Sequence, residues 1–267
     1  MSHAGNLWQD VERIRAQAPL VHNITNFVVM NTTANALLAL GAAPVMAHAL
    51  EEARAMAGLA CALVLNIGTL SRPWIAAMLE SGQEANRRGI PIVLDPVGAG
   101  ATPFRTQTVQ ELLGALRVAV IRGNGSEIRA LSYAEQATRG VDSRHAAEEA
   151  LGAARTLAEN RGCVVCASGA TDLVVAPGRV MRVSNGHNMM ARVTGLGCTA
   201  TALIGAFVAV NAEPFEATAH AMAVMGIAGE MAAQRSAGPG SLQVNFLDAL
   251  YLLRREDIDA RLKIAED

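Results

Sequence analysis

Short apolar runs alternate along this chain with longer segments whose apolar residues recur every three or four positions, and this alternation constrains the fold more than any other feature. The runs at 43–48, 61–67, 91–95, 118–122, 163–168 and 172–176 predict strands. Segments 26–40, 72–88, 104–115 and 143–160 carry the helical period between most of them. A strand followed by a helix followed by a strand folds back into a parallel sheet, so a mostly parallel α/β architecture with helices on both faces is expected. From 195 to about 255 the pattern predicts three helices, broken at Asn211-Ala-Glu-Pro214 and at Gly238-Pro-Gly240. No repeat, low-complexity tract or linker interrupts the chain, which predicts one domain over residues 1–267.

The composition excludes several function classes. Among 267 residues, 51% are hydrophobic and the net charge is −2, with no basic stripe carrying interleaved aromatics, so nucleic acid is not expected as a partner. Apolar stretches are interrupted before about 18 residues and no N-terminal run has a basic flank, so a cytoplasmic protein with no membrane span is expected. Lysine occurs only at position 263. Its absence elsewhere removes the P-loop lysine and the Schiff-base lysine, and leaves phosphate chemistry to backbone amides, arginine and a metal. Cys163 and Cys166 form a C-x-x-C, but within a strand-like run they face opposite sides, and a structural role is expected for them.

In open α/β sheets, ligands sit beyond the carboxyl ends of the strands. The polar residues fall there. Asn66-Ile-Gly68 follows one predicted strand, Asp95-Pro-Val-Gly98 the next, Arg122-Gly-Asn124-Gly-Ser126-Glu127 the next, and Ser168-Gly169 another. Asp95 can hold a hydrated Mg²⁺ or simply shape its turn. Asn124 and Glu127, three apart, share one face of an opening helical turn, as metal-site residues or as a plain capping box. Arg122 can contact phosphate oxygens or form a surface ion pair.

The segment Thr194-Gly195-Leu196-Gly197-Cys198-Thr199 opens the longest run of small apolar residues. Glycines at the start of a helix leave amide N–H groups unpaired where the helix dipole is positive, which makes an anion cradle. A thiol at that position is expected to have a lowered pKa.

Taken together, Asn124-Gly-Ser-Glu127 and the later Gly195-Leu-Gly-Cys198 resemble the Asn-x-x-Glu and Gly-x-Gly-Asp motifs of the ribokinase superfamily, with cysteine where the aspartate stands. That cysteine, with Pro19-Leu-Val-His-Asn-Ile-Thr-Asn26, Asn31 to Met46 and Leu94-Asp-Pro-Val-Gly-Ala-Gly100, is similar to the hydroxyethylthiazole kinases over roughly residues 5–255. The resemblance implies a ribokinase-like three-layer fold and ATP- and Mg²⁺-dependent phosphorylation of 4-methyl-5-(2-hydroxyethyl)thiazole in thiamine biosynthesis. It also implies a homotrimer with active sites between subunits. Met46 and Gly195 would touch the thiazole, with Asn26 a further pocket residue. Arg122, Ser168 and Asn124 would serve the nucleotide, and Asp95 and Glu127 the Mg²⁺–phosphate assembly. Gly195, Leu196 and Gly197 would stabilise the transferring group, and Cys198 would orient and deprotonate the hydroxyl. His22 and His48 lie near this pocket and are expected to be structural.

Other readings stay open on the residues alone. Gly195-x-Gly197 as a dinucleotide turn lacks the third glycine, since position 200 is Ala. Cys198 as the nucleophile of a hydrolase would need His187 or His220 beside it. A trimeric binder that has lost its chemistry, or a kinase for another small heteroaromatic alcohol, shares the same motifs.

Overall fold

The structure is a computed structural model that describes residues 3–136 and 146–267. Its strands are β1 (Leu20–Ile24), β2 (Ala43–Val45), β3 (Ala62–Asn66), β4 (Ile92–Asp95), β5 (Val120–Asn124), β6 (Val164–Ser168), β7 (Asp172–Ala176), β8 (Arg179–Val183) and β9 (Ile264–Glu266). The α-helices are α1 (His3–Gln17), α2 (Met30–Leu40), α3 (Leu50–Ala57), α4 (Arg72–Arg88), α5 (Pro103–Ala115), α6 (Gly125–Gln136) and α7 (Ala146–Arg161), followed by α8 (Leu196–Val210), α9 (Pro214–Ala233), α10 (Pro239–Leu252) and α11 (Arg255–Arg261). One nine-stranded sheet runs in the order β2-β1-β3-β4-β5-β6-β7-β8-β9. From β2 to β6 every pairing is parallel, and from β6 to β9 every pairing is antiparallel.

Strand side chains alternate between two cores. Val64, Val93, Val120 and Cys166 meet α1, α2, α8, α9 and α10 on one face, among Leu7, Ile14, Leu37 and Phe207. Leu63, Ile92, Ile121 and Val165 meet α4 to α7 on the other, among Met78, Leu112 and Leu157. Cys163 and Cys166 accordingly lie in opposite cores, both buried, as their spacing predicted. Helix α8 is buried on nearly every side from Thr199 to Val208, because the sheet lies beneath it and α1, α2 and α9 pack around it. This explains why its sequence carries no polar stripe.

The six expected strands are all present: four are shortened by one to three residues, 118–122 is observed two residues later as β5, and 172–176 is observed unchanged as β7. Two corrections concern the N-terminal third. Helix 26–40 begins only at Met30, because the Asn26 side-chain oxygen accepts the Val28 N–H and the Asn26 carbonyl accepts that of Val29, closing a turn first. Strand β1 was not among the expected strands. It carries His22 and Asn23 in an otherwise apolar run; His22 Nε2 hydrogen-bonds Ala47 O at 2.6 Å and Asn23 Nδ2 donates to Val21 O at 2.9 Å, while His22 Nδ1 and Asn23 Oδ1 are buried without a partner among the described residues. The expected helix 143–160 is observed as α7 from Ala146, and 143–145 lie outside the described residues. Helices α1, α3 and α6, a fourth C-terminal helix, α11, and the strands β8 and β9 extend the fold beyond the elements named from the sequence.

Candidate active site

Four neighbouring strands repeat one pattern at their carboxyl ends. An apolar residue in the core shared with α8 and α9 is followed two positions later by a polar residue on the same face: Val64 then Asn66, Val93 then Asp95, Val120 then Arg122, Cys166 then Ser168. The register sets Asn66 opposite Asp95, and Ser168 two positions beyond Arg122, opposite Asn124. The N-terminus of α8 comes down onto this row.

Gly195 caps α8 at φ +84°, a conformation open to glycine, and a Cβ there would sit 2.7 Å from Val29 Cγ1. The first helical amide with an intrahelical acceptor is that of Thr199, 2.9 Å from Gly195 O. Leu196, Gly197 and Cys198 therefore occupy the first turn of the helix, with their N–H groups directed out of its end. At Gly197 a Cβ would lie 2.9 Å from Arg122 Nη1, so the missing side chain lets the guanidinium close on the helix terminus.

Arg122 Nη2 donates to Ser168 Oγ at 2.7 Å, which in turn donates to Gly123 O at 3.3 Å. These groups and Asn124 line one side of a cavity of about 690 Å³, together with Leu196 and Gly197. Met222 and Met225 of α9 supply apolar surface to the same cavity. Asp172, also lining it, is pushed up to about 6 by burial, against the Gly169 N–H it accepts.

On the other side of the α8 terminus lies a buried polar cluster. Asp95, 1% exposed, accepts through Oδ2 from Asn66 Nδ2 and Thr201 Oγ1, both at 2.7 Å, while its Oδ1 is buried with no partner among the described residues. Burial raises its pKa to about 6, opposed by the Arg122 charge and those two hydrogen bonds and assisted by Glu127. Cys198 Sγ accepts from Asn26 Nδ2 at 3.4 Å. Its thiol is pushed up to about 11, first by burial and then by the Asp95 carboxylate, against hydrogen bonds from Asn66 and Asn26. The lowered thiol pKa expected at a helix N-terminus is thus reversed, because desolvation and a neighbouring carboxylate outweigh the amide dipoles.

Asn124 and Glu127 form a reciprocal capping box: Asn124 Oδ1 accepts the Glu127 N–H at 3.0 Å and Glu127 Oε2 accepts the Asn124 N–H at 2.8 Å. Glu127 Oε1 also accepts the Gly98 N–H at 2.8 Å, which ties the loop after β4 to the start of α6. Arg105 ties the preceding loops in the same way, donating to Ile67 O, Val97 O and Gly68 O. The donor set for a cation is a free Asp95 oxygen and a fixed Glu127 carboxylate. That fits an octahedral Mg²⁺ keeping most of its waters and carried largely by substrate phosphates. Among the described residues no group of three or more His, Cys, Asp or Glu is arranged as a protein cage.

Met46 follows β2 at the outer edge of the sheet, next to the end of β1 that leads to Asn26. It stands four strand spacings, roughly 19 Å, from β5 and so apart from Arg122 and Ser168. His22 is buried on Ala47 O, and His48 stacks on Trp74 at 4.5 Å, with Phe27 on that same ring at 4.8 Å. Neither alternative base for Cys198 is beside it. His220 is held by Asp10 at 2.7 Å, and His187 caps a 3₁₀ turn through Met189 N. Asn66 was placed by the sequence at a ligand-facing strand end but given no role, and Thr201 and Arg105 were absent from the sequence-derived site. The signal for Asn66 was the period-two pattern it shares with Asp95, and for Thr201 its position one helical turn after Cys198.

Residues 11–256 match the hydroxyethylthiazole kinase family. The chain belongs to that family. A hydroxyethylthiazole kinase of Syntrophus aciditrophicus is 58% identical over 97% of this chain and 96% of its own, and one of Oleidesulfovibrio alaskensis 55% over 99% of each. The solved hydroxyethylthiazole kinase of Pyrococcus horikoshii superposes with a TM-score of 0.92 at 47% identity, covering 98% of this chain and 99% of that one. A Staphylococcus aureus pyridoxal kinase solved with pyridoxal, at TM-score 0.60 and 16% identity over 79% of this chain and 87% of its own, shares the fold. The ribokinase-like α/β fold and the kinase class expected from the motifs therefore hold for this member of the hydroxyethylthiazole kinase family.

Proposed function

We propose that the protein is a single-domain kinase that transfers the γ-phosphoryl group of ATP to the primary hydroxyl of 4-methyl-5-(2-hydroxyethyl)thiazole, a step of thiamine biosynthesis, in the cytoplasm. The observation that carries this reading is the position of the α8 N-terminus between the Arg122–Ser168 cavity and the Asp95–Cys198 cluster. One helix end then serves both the cavity that would take the nucleotide phosphates and the acceptor side.

Arg122, Ser168 and Asn124 hold the nucleotide, and the planar guanidinium suits phosphate oxygens. The Leu196, Gly197 and Cys198 amides receive the charge that develops on the moving phosphoryl group. Asp95 and Glu127 hold Mg²⁺, which when bound neutralises phosphate charge. Asn26, Met46 and Gly195 shape the thiazole side, where the sulfur of Met46 suits an aromatic heterocycle. Phe27, Val28 and Leu38, near and on α2, and Val244 and Tyr251 on the adjoining α10 are apolar side chains 58–71% exposed. They support a homotrimer in which a second subunit closes this open side, a state that sedimentation reads directly.

The functional test is release of ADP from ATP and Mg²⁺ on addition of the thiazole alcohol, with an aminopyrimidine alcohol as comparator. Tight thiazole binding without ADP would overturn the reading in favour of a binder. Cys198 positions the acceptor hydroxyl as a neutral thiol. Cys198→Ala is expected to lower kcat by less than about tenfold, because a general base would contribute about 10²–10⁴-fold. A larger loss, together with a wild-type rise in kcat toward pH 9 that the variant lacks, would restore the thiolate as base.

A further inference from the structure

We infer that Asn66 is a positioning residue for phosphoryl transfer: its side-chain amide fixes which oxygen of Asp95 is free and ties that setting to the acceptor side at Asn26 and Cys198. This rests on the kinase reading above and adds a residue to it.

Two backbone N–H groups, which can only donate, set the polarity of the whole cluster. Val28 N–H donates to Asn26 Oδ1 at 3.1 Å, so the other end of that amide is its NH₂. Gly68 N–H donates to Asn66 Oδ1 at 2.9 Å, so Asn66 also turns its NH₂ the other way. With both amides fixed, Asn26 Nδ2 donates to Asn66 Oδ1 at 2.9 Å and to Cys198 Sγ at 3.4 Å. Asn66 Nδ2 is then left to donate to Asp95 Oδ2 at 2.7 Å.

The consequences converge on Asp95. Thr201 Oγ1 reaches the same oxygen at 2.7 Å, so Oδ2 is filled twice while Oδ1 is buried and unpartnered. An unpartnered buried carboxylate oxygen costs free energy unless a ligand meets it. Asn66 is itself 1% exposed and has no surface to serve. It joins two parts of the reaction: its oxygen is bound to the segment that shapes the alcohol site, its nitrogen to the carboxylate that would hold Mg²⁺.

Asn66→Asp separates these two ends. The variant keeps an oxygen for Asn26 and Gly68, removes the amide donor to Asp95 and Cys198, and sets a second carboxyl oxygen against Asp95 Oδ2. The expected result is a kcat at least tenfold lower, a KM for ATP within threefold of wild type, and calorimetric affinity for the thiazole alcohol, without nucleotide or Mg²⁺, within threefold. Asn66→Ala removes both ends and is expected to lose the alcohol affinity as well, by at least fivefold. A folded Asn66→Asp with kcat within threefold of wild type overturns the inference, as does equal loss of alcohol affinity in the two variants. Should Asn66→Asp fail to accumulate, Thr201→Val removes the other donor to the same oxygen and is read in the same way: unchanged kcat overturns, lowered kcat with retained affinity supports. A wild-type enzyme that never releases ADP would instead sink the kinase reading.

Discussion

Asp95→Asn is expected to lower kcat by about 10³-fold, the loss of several kcal/mol of charge stabilisation at the transferring phosphates, and to make the metal-free protein more stable at neutral pH. The second half follows from the carboxylate's burial. Its folded-state pKa is about 6, above the ordinary 3.8, so folding favours the protonated form. That preference stabilises the fold fully below about pH 4 and fades as pH rises through 6, where the ionised group is retained at a penalty of up to about 3 kcal/mol. Asparagine has the same shape, can still accept from Thr201 and Asn66, and does not titrate. The variant should therefore melt higher than wild type at pH 8 in chelator, by up to about 10 °C, with the gap closing near pH 4. Asp172, also raised to about 6, tilts both curves alike and cancels in the difference. A variant that melts below wild type at pH 8 would show that the clamp on Oδ2 outweighs desolvation. One that keeps a tenth of wild-type kcat would remove Asp95 from the proposed Mg²⁺ site.

The layered α/β fold was legible because the parallel strands are buried on both faces and so are written as uninterrupted apolar runs, as in Ala62 to Leu65 or Ile92 to Leu94. Strand β1 was not, since His22 and Asn23 break its run and the Ala47 carbonyl that meets the His22 ring is brought there only by the fold. Asp95, Arg122 and Ser168 were legible as polar residues at strand ends. Their partners were harder to see: Asn66 reaches Asp95 across 29 positions and Thr201 across 106, distances that no local pattern bridges. The sign of the Cys198 shift was misjudged for the same reason. A helix terminus can be seen in sequence, but the carboxylate and the burial that oppose its field are contributed by β4 and the surrounding sheet. Glu127 shows the opposite case, where the local reading of Asn-x-x-Glu as a capping box is realised and the longer-range bond to Gly98 N comes in addition.

Gly195→Ala is expected to damage fold and catalysis together, and Gly197→Ala catalysis alone. At Gly195 two penalties act on one methyl group. The positive φ costs an L-residue roughly 1–2 kcal/mol. The 2.7 Å approach to Val29 Cγ1 adds an overpacking penalty of about 1–3 kcal/mol, because Val29 is 2% exposed and caps α2. A fall in Tm of about 5–10 °C follows. Val29 sits at the end of the turn that carries Asn26, so relief of the clash moves either that turn or the three α8 amides, and displacement of about 1 Å costs on the order of 10²-fold in kcat/KM. At Gly197 the methyl group meets Arg122 Nη1 at 2.9 Å, the mobile end of a long side chain, and φ is not positive. That variant should melt with wild type and lose about tenfold in kcat/KM for ATP, as the guanidinium withdraws from the helix end. Placing Gly195→Ala in a Val29→Ala background separates the two penalties: the steric part should be recovered and the backbone part should remain. If the double variant recovers nothing beyond additivity, Val29 is not what reserves position 195 for glycine, and the left-handed cap alone sets the height of the anion site above the sheet.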